Sequence, residues 1–259
     1  MKDNALCIVN GDDPMLEAWA ITKEKPIPIW FVASEQNTGR LERDGFPVFW
    51  AEDIKLEKGG THFTARSTFD ASHVWPMYIP EPGRHLVTAA LFAMAAAYAL
   101  GLNMIVAAKA AANFENTGSR QRILTGNGVT VIDDAYNASP ESMQAALDVL
   151  QLVRDGGRSI CVIGGMRELG KYSEQEHIAL AKAILASKAD YVFLTGDETK
   201  VTYTYLAEFM ARERLVWEGD AALLSASLKA VVKPGDTILC KGSRIYALDK
   251  VAAMLVEEN

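Results

Sequence analysis

Residues 129–256 alternate short apolar runs with stretches of helical periodicity, and this alternation constrains the fold more than any other feature of the chain. The apolar runs VTVIDD, SICVIGG, YVFLTG and TILCKG are typical of strands that are buried on both faces of a sheet. Strands that alternate with helices favour a parallel sheet covered by helices on both sides. We therefore predict a Rossmann-like, doubly wound α/β domain over residues 116–259.

The first 115 residues follow a different order. Two buried strands, ALCIVN and IPIWFVA, flank a helix for which Asp13 is the predicted N-cap, which indicates a parallel βαβ unit. Apolar and polar residues alternate on both sides of Gly59-Gly60, which predicts a β-hairpin. An alanine-rich helix follows. We expect a separate α/β domain of parallel strands, a hairpin and helices, with its boundary near residue 115.

Charge and apolar content exclude several classes of protein. The formal net charge is −7, which argues against a nucleic-acid partner. The apolar stretch Leu86–Leu100 is shorter than the roughly 20 residues that a bilayer span needs, so no membrane association is expected. Cys7, Cys161 and Cys240 lie in apolar runs without metal spacing, which predicts buried thiols in a cytoplasmic protein.

Candidate ligand-binding groups follow the predicted strands, because open parallel sheets bind ligands beyond the carboxyl ends of their strands. Five polar or glycine-containing segments occupy such places: Asn10–Asp13, Asp133–Asn137, Gly164–Glu168, Thr195–Asp197 and Lys241–Arg244. Asp133 and Asp134 could accept ribose hydroxyls or hold a cation through water, or could cap the next helix. Which of these roles they have stays open from the residues alone.

Two of the other segments also allow two interpretations each. Lys241 and Arg244 could pair with a carboxylate or phosphate, or could be solvated charges at a helix start. Gly164-Gly165 could let the backbone approach a ligand, or could form a tight turn.

Histidine spacing gives no support for a metal site, and we predict none. His62 and His73 are expected at the surface, and His177 is expected to pack or cap at the start of its helix. Ser173–Glu176 has the pattern of a capping box. The sequence contains no G-x-x-x-x-G-K-[ST] motif, so no P-loop for a nucleoside triphosphate is predicted.

Five stretches in a fixed order together resemble the Mur ligase family, and within it the ligases that add D-alanyl-D-alanine to a UDP-muramoyl tripeptide. The most specific is DDAYNASPESM at residues 133–143, which is similar to the family's DD-[SA]-YNANP-x-SM. The others are NGDDP (10–14), PGRH (82–85), IGGMRELGKYSEQEH (163–177) and PGDTILCKGSR (234–244).

The resemblance implies an ATP-dependent, amide-forming ligase of peptidoglycan-precursor synthesis that uses Mg. In the family the P-loop, the magnesium-binding residues and the UDP-sugar domain precede the strand that starts here at Ala5. We therefore expect residues 1–115 to be a partial central domain without the P-loop and residues 116–259 to be the C-terminal domain. Activity of this chain alone is not expected.

The missing segments leave the role of the chain open between two hypotheses. The first is a fragment or split half that joins a P-loop-bearing partner, or associates with itself through an open sheet edge. The alternative is a non-catalytic relative that binds a peptide, an amino acid or a protein. A complete enzyme with a novel nucleotide site is a third and weaker possibility.

The resemblance also assigns site residues. It implies that Arg120, or alternatively Arg122, reaches the ATP phosphates as the catalytic arginine, and that Asp134 and His85 bind the nucleotide. Six further residues match motif positions for the amino substrate or the closing interface: Asn137, Ser142, Arg167, Lys241, Ser243 and Arg244.

Three positions depart from the family pattern. Leu86 and Ala89 replace two asparagines on the adenine side, and Gly165 replaces an aspartate. Because an apolar pair cannot hydrogen-bond a purine, we predict weak ATP binding or none by the isolated chain.

Overall fold

A computed structural model of the chain describes residues 5–22, 27–70 and 72–257. The chain divides into two compact units, Met1–Glu115 and Asn116–Asn259. None of the helices within the described ranges combines the length and hydropathy that a bilayer crossing requires.

The described part of the first unit contains a five-stranded sheet in the order β1-β2-β3-β4-β5. The first three strands are parallel and the last three antiparallel, so the predicted βαβ unit and hairpin are both confirmed. β1 lies at one edge of the sheet, and the predicted association along that edge stays a prediction. The strands are β1 (Cys7–Asn10), β2 (Ile29–Val32), β3 (Val48–Glu57), β4 (Gly60–Ser67) and β5 (Trp75–Ile79).

Helices cover both faces of this first sheet. They are α1 (Pro14–Thr22), α2 (Glu35–Arg43), α3 (Arg84–Ala99) and α4 (Met104–Ala110). The predicted N-cap of α1 is confirmed, because Asp13 Oδ1 accepts from the backbone N–H groups of Met15 at 2.8 Å and Leu16 at 3.0 Å. α2 was not predicted, because only Thr38 and Leu41 of its nine residues are buried and the apolar face is narrow.

The second unit contains a six-stranded sheet in the order β10-β9-β8-β11-β7-β6 among the described residues. All neighbours pair in parallel except β6 with β7, so the carboxyl ends of five strands share one edge. The strands are β6 (Arg122–Gly126), β7 (Val129–Asp134), β8 (Ser159–Gly164), β9 (Tyr191–Thr195), β10 (Leu215–Glu218) and β11 (Thr237–Lys241).

Two separate apolar clusters fill the two faces of this second sheet. Cys161 and Ile163 of β8 face one cluster, and Ile160 and Val162 face the other. The helices are α5 (Pro140–Val153), α6 (Ser173–Ser187), α7 (Lys200–Leu206), α8 (Ala221–Lys229) and α9 (Leu248–Val256). The first cluster packs against α5, α6 and α7 and the second against α8 and α9, which confirms the doubly wound α/β prediction.

Two local predictions for the second unit are wrong. Ser173 is the first residue of α6 rather than its N-cap, because a 3₁₀ turn at Gly170–Tyr172 runs directly into the helix. The capping box lies instead at the start of α5, where Ser139 and Ser142 bond each other's backbone N–H groups at 3.3 and 2.9 Å. The helix predicted from Val201 to Glu213 already ends at Leu206.

Candidate functional site

A buried ion pair lies at the carboxyl edge of the second sheet. Lys241 and Asp134 stand opposite each other on β11 and β7. The Lys241 side chain is 2% exposed, and its Nζ donates to Asp134 Oδ2 at 2.7 Å and to the Asn137 carbonyl oxygen at 3.1 Å. A buried ammonium is tolerated only when it is paired and hydrogen-bonded. The interpretation of Lys241 as a solvated charge is therefore wrong.

The two aspartates that end β7 have different surroundings. Asp134 keeps 18% of its side chain exposed, and its Oδ1 accepts from the Gln121 backbone N–H at 3.1 Å. Burial raises the pKa of Asp133, although hydrogen bonds from Ser119 and Ala135 act in the opposite direction. Because Ser139 caps α5, the helix-capping interpretation of Asp133 and Asp134 is wrong.

Two arginines lie over one exposed aromatic ring. The guanidinium carbon of Arg120 is 4.1 Å from the centroid of the Tyr136 ring, and that of Arg244 is 5.6 Å from it. Tyr136 itself is 42% exposed. Neither arginine has an ion-pair partner within the described part of the chain. Such a pair of guanidinium groups can receive the oxygens of a phosphate or carboxylate.

The backbone around Arg120 explains its position. The Tyr136 N–H donates to the Ser119 carbonyl oxygen at 2.9 Å, which ties the segment before β6 to the end of β7. Gln121 has a φ of 51°, so the chain turns sharply between Arg120 and Arg122. Arg122 is consequently exposed on the edge strand β6, opposite Asp133. This difference favours Arg120 over Arg122 as a ligand-contacting residue, and that assignment stays a prediction.

Arg167, Glu198 and Tyr246 form a second polar group at the same edge. Arg167 Nη1 donates to Glu198 Oε1 at 2.5 Å, and the Tyr246 hydroxyl donates to Glu198 Oε2. The Arg167 backbone N–H donates to Ser243 Oγ at 3.0 Å. Three loops, after β8, β9 and β11, therefore meet through these four residues.

The pKa values of this group reflect their contacts. Burial and the hydrogen bond to Glu198 raise the pKa of Tyr246 to about 12. Burial by itself would raise the pKa of Glu198, but hydrogen bonds from Tyr246 and Arg167 outweigh it and the pKa is lowered. The hydrogen bond to Tyr246 and the charge of Glu198 raise the pKa of Arg167. Glu198 is thus ionised and Tyr246 neutral at physiological pH.

Glycines make room for the Tyr246 ring. A Cβ atom added at Gly164 would lie 2.7 Å from Tyr246 Cδ2, and one at Gly196 would lie 2.5 Å from Tyr246 Cε1. One added at Gly165 would lie 3.0 Å from the Tyr246 hydroxyl oxygen. Of the two interpretations left open for Gly164-Gly165, close approach is the correct one, but the group that approaches is a side chain of this chain.

Sequence reasoning missed Glu198 and Tyr246. The segment Thr195–Asp197 was singled out because it follows β9, and Glu198 is the next residue. Extending that segment by one residue would have included Glu198. Tyr246 follows the Lys241–Arg244 motif by two residues, but only the folded structure shows that it contacts Glu198.

The loop after β8 uses its backbone N–H groups internally. Met166 N donates to Nε2 of the buried His177 at 3.1 Å, while His177 Nδ1 lies 2.7 Å from the Ser173 carbonyl oxygen. His177 therefore has the packed role that was predicted. Ser142 also has a structural task, since its hydroxyl donates to the Ser139 carbonyl oxygen at 3.0 Å within the cap.

Two cavities lie wholly within the first unit. One, of about 370 Å³, is mostly apolar and includes Leu86 and Ala89 among its lining residues, beside Met77, Met94, Phe114 and the amide Asn113. The other, of about 410 Å³, is polar and is lined partly by Asp12, Glu35, Glu52, Asp53 and Arg84. His85 is exposed at the start of α3, near both. Across the described ranges, His, Cys, Asp and Glu form no cluster that could hold a metal ion.

The other histidines and the cysteines have mostly the predicted surroundings. His62 and His73 are exposed. Cys161 and Cys240 are buried, and burial raises the pKa of both thiols, that of Cys161 to about 12. Cys7 departs from the prediction, because its position on the edge strand β1 leaves it partly exposed.

Comparison with known proteins gives matches over both units. The family described as "Mur ligase, glutamate ligase domain" matches residues 119–244. The UDP-N-acetylmuramoyl-tripeptide–D-alanyl-D-alanine ligase of Bacillus subtilis is 28% identical over 258 residues, which are 99% of this chain and 52% of the relative. The ligase of the same name from Mycobacterium bovis is 30% identical over 97% of this chain and 51% of the relative.

The fold has a solved counterpart. The crystal structure of MurF ligase from Thermotoga maritima in complex with ADP superimposes with a TM-score of 0.74 at 22% identity. The match covers 98% of this chain and 53% of that one. The chain thus spans about half the length of the curated relatives that it matches.

Proposed function

Because the chain belongs to the Mur ligase family, we propose that it serves the step of peptidoglycan-precursor synthesis in which D-alanyl-D-alanine is joined to a UDP-muramoyl tripeptide. In this proposal the second unit binds the amino substrate and contacts the phosphates of ATP. The observation that carries it is that three motif-bearing segments, at the ends of β7, β8 and β11, are joined at one sheet edge by the contacts Lys241–Asp134 and Arg167–Ser243.

The phosphate-contacting role falls to Arg120 and Arg244. Both guanidinium groups lie over Tyr136, and neither has an acidic partner among the described residues, although the chain as a whole carries a net charge of −7. An unpaired guanidinium in an acidic protein is a strong attractor for phosphate oxygens. Preorganised positive charge of this kind stabilises the charge that develops in phosphoryl and acyl transfer.

Asp134 is the proposed contact for the ribose of the nucleotide. Its carboxylate keeps a solvent-facing part, while Lys241 and the Gln121 N–H fix its orientation. Each carboxylate oxygen can accept a second hydrogen bond, so a ribose hydroxyl can be added without breaking either contact.

The base of ATP fits this chain less well than its phosphates. The apolar cavity that includes Leu86 and Ala89 gives no hydrogen-bond partner at the two positions where the family has asparagine. We therefore propose that the chain binds adenine nucleotides weakly, mainly through their phosphates. We assign no magnesium-binding residue to the described part of the chain.

The amino substrate is assigned to the loops that carry Arg167 and Ser243. Arg167 keeps 53% of its side chain exposed, so its guanidinium group can donate two parallel hydrogen bonds to a substrate carboxylate. Ser243 fixes the Arg167 backbone, and the exposed Asn137 lies on the neighbouring loop held by Lys241. Ser142 contributes through the start of α5 rather than through a free hydroxyl.

A calorimetric titration with D-alanyl-D-alanine tests the proposal on the 259-residue chain. We expect saturable binding that Arg167→Gln weakens by about tenfold, since a charge-assisted contact is lost. Arg212→Gln is the matched control, because Arg212 is an exposed arginine on a different edge of the unit. Absence of binding, or equal loss in both variants, would contradict the proposed substrate site.

Complementation tests the catalytic half of the proposal. The chain is mixed with the P-loop-bearing portion of the Bacillus subtilis relative, ATP, the UDP-muramoyl tripeptide and D-alanyl-D-alanine. We expect amide product only when both polypeptides are present, and a loss of rate with Arg120→Ala but little change with Arg122→Ala. Product formation that is indifferent to Arg120 would refute its assignment.

A further inference from the structure

Glu198 lies where the proposed substrate loops meet, yet the roles assigned above do not use its carboxylate. It follows β9, the neighbour of β8, at the shared carboxyl edge of the sheet. Its side chain is 22% exposed, so it is partly accessible to solvent. Arg167 occupies one of its oxygens and the Tyr246 hydroxyl the other.

Tyr246 and Arg167 hold different oxygens of the Glu198 carboxylate, Oε2 and Oε1. The Tyr246 ring lies against the backbone at Gly164 and Gly196, where any side chain would collide with it. The ring therefore has little freedom to move, and its hydroxyl holds Glu198 Oε2 in place. Arg167 is exposed and Tyr246 is only partly so. It can leave the carboxylate while Tyr246 keeps Glu198 oriented.

We propose that Glu198 binds the ammonium group of the amino substrate, with Tyr246 as its positioning residue. Once Arg167 leaves Glu198, the guanidinium and the carboxylate offer one partner for each charge of a zwitterion, Arg167 for the substrate carboxylate and Glu198 for its ammonium. When no substrate is bound, Arg167 and Glu198 neutralise each other as an ion pair. This inference rests on the proposed function, because it names a further residue of the same substrate site.

The space at Gly165 supports the assignment. A Cβ atom added there would lie 3.1 Å from Glu198 Oε2 and 3.1 Å from Glu198 Cβ. A side chain on the β8 loop would therefore compete with Glu198 for the same volume. The absence of a side chain at Gly165 lets the carboxylate from the β9 loop reach the edge of β8.

Paired ligands test the inference by calorimetry on the 259-residue chain. The probes are D-alanyl-D-alanine and N-acetyl-D-alanyl-D-alanine, which differ in the charge of the amino end. We expect Glu198→Gln to weaken binding of the free dipeptide about tenfold, since a charge-assisted hydrogen bond is lost, and to leave binding of the acetylated one within about twofold. Asp197→Asn is the matched control, because Asp197 is an exposed neighbouring acid that pairs with Lys200.

Tyr246→Phe provides a second variant that removes one hydroxyl and keeps the ring. We expect a selective loss of about threefold to fivefold for the free dipeptide, because an unheld carboxylate is less well oriented. If Glu198→Gln does not fold by circular dichroism, Tyr246→Phe decides the question alone.

Three results would overturn the inference, and they separate it from the proposed function. Equal affinity of the native chain for both ligands would exclude an ammonium site. Unchanged affinity in both variants, with normal binding by the native chain, would reject Glu198 and leave the proposed function standing. No binding of either ligand by the native chain would reject both.

Discussion

The two units differ in the chemistry of the groups at their candidate binding places. In the second unit, charged groups from separate loops are bonded to one another at the sheet edge, as in the Lys241–Asp134 and Arg167–Glu198 pairs. In the first unit, one cavity is lined mostly by alanines and larger apolar residues, with Asn113 as its one amide side chain, and the positions matching the family's two asparagines are Leu86 and Ala89. The second, polar cavity of the first unit is lined partly by acidic side chains.

This difference indicates how the binding chemistry is distributed. An apolar wall contributes dispersion and burial but no orientation, whereas buried hydrogen-bonded charges fix a ligand in one geometry. We therefore infer that the specificity of this chain resides in its second unit. We expect the apolar cavity of the first unit to contribute little hydrogen-bond selection of a base, because Asn113 is the one amide in its lining.

The largest expected effect contrasts one ion pair from each unit. Lys241→Met should lower the free energy of unfolding by about 3 kcal/mol, because Asp134 would lose the partner of a buried pair. Arg66→Met should cost less than about 1 kcal/mol, because the Arg66 and Glu52 side chains are 31% and 26% exposed. Urea unfolding followed by circular dichroism measures both. Equal losses of unfolding free energy in the two variants would contradict this contrast. Recovery of stability in the Lys241→Met, Asp134→Leu double variant would show that the unpaired Asp134 carboxylate causes the loss.

A gain of nucleotide affinity would test the apolar cavity. Introducing two amides with Leu86→Asn and Ala89→Asn should raise affinity for ADP with magnesium about thirtyfold, since each of the two new hydrogen bonds contributes about 1 kcal/mol. Thr88→Asn on the same helix is the control, because Thr88 lines the polar cavity instead. Micromolar ADP binding by the unmodified chain would show that the cavity already recognises the base.

Loss of the aromatic ring should weaken anion binding by the second unit. Tyr136→Leu removes the ring over which Arg120 and Arg244 lie, and we expect affinity for pyrophosphate to fall about fivefold. Tyr136→Phe keeps the ring and should keep the affinity. If the Tyr136→Leu and Tyr136→Phe variants bind pyrophosphate with the same affinity, the ring does not position the arginines.

At the start of α5, one substitution distinguishes a structural role of Ser142 from a role in substrate binding. Ser142→Ala should cost about 1 kcal/mol of stability, because the capping box of Ser139 and Ser142 is broken. The affinity for D-alanyl-D-alanine should stay unchanged, because the hydroxyl is used within the cap. A loss of affinity without a loss of stability would restore Ser142 to the substrate site.

The smallest expected effect is a pH dependence at Glu198. Its folded-state pKa is lowered from 4.5, so the ionised form stabilises the fold above that value and the contribution is lost as the pH falls through the lowered pKa. Native chain and Glu198→Gln should differ by less than about 1 kcal/mol at pH 7 and should converge in acid. A difference in unfolding free energy between the two chains that grows towards low pH would contradict the expected direction of the pH dependence.

Periodicity and capping chemistry predicted most of the fold. The buried runs around Val131, Val162 and Leu239 gave the parallel strands, and Asp13 gave the start of α1. α2 was missed because its apolar face is narrow, and the cap at Ser173 was wrong because a 3₁₀ turn precedes the helix. These errors concern features that one side chain or one turn decides.

The candidate site was predictable only in part. Motif residues such as Lys241 and Arg167 could be found because they follow strands, but the burial of Lys241 depends on Asp134, which lies on another strand. Glu198 and Tyr246 belong to different loops and meet only after the sheet has formed. Contacts between distant segments carry no local signal in the sequence.

The most direct test of where specificity resides is a nuclear magnetic resonance titration of the 259-residue chain with D-alanyl-D-alanine. We expect saturable shifts confined to the backbone amides of the second-unit loops, above all at Arg167, Glu198 and Tyr246. Shifts centred on the α3 and α4 residues of the first-unit cavity, or no saturable shifts at any concentration, would contradict it.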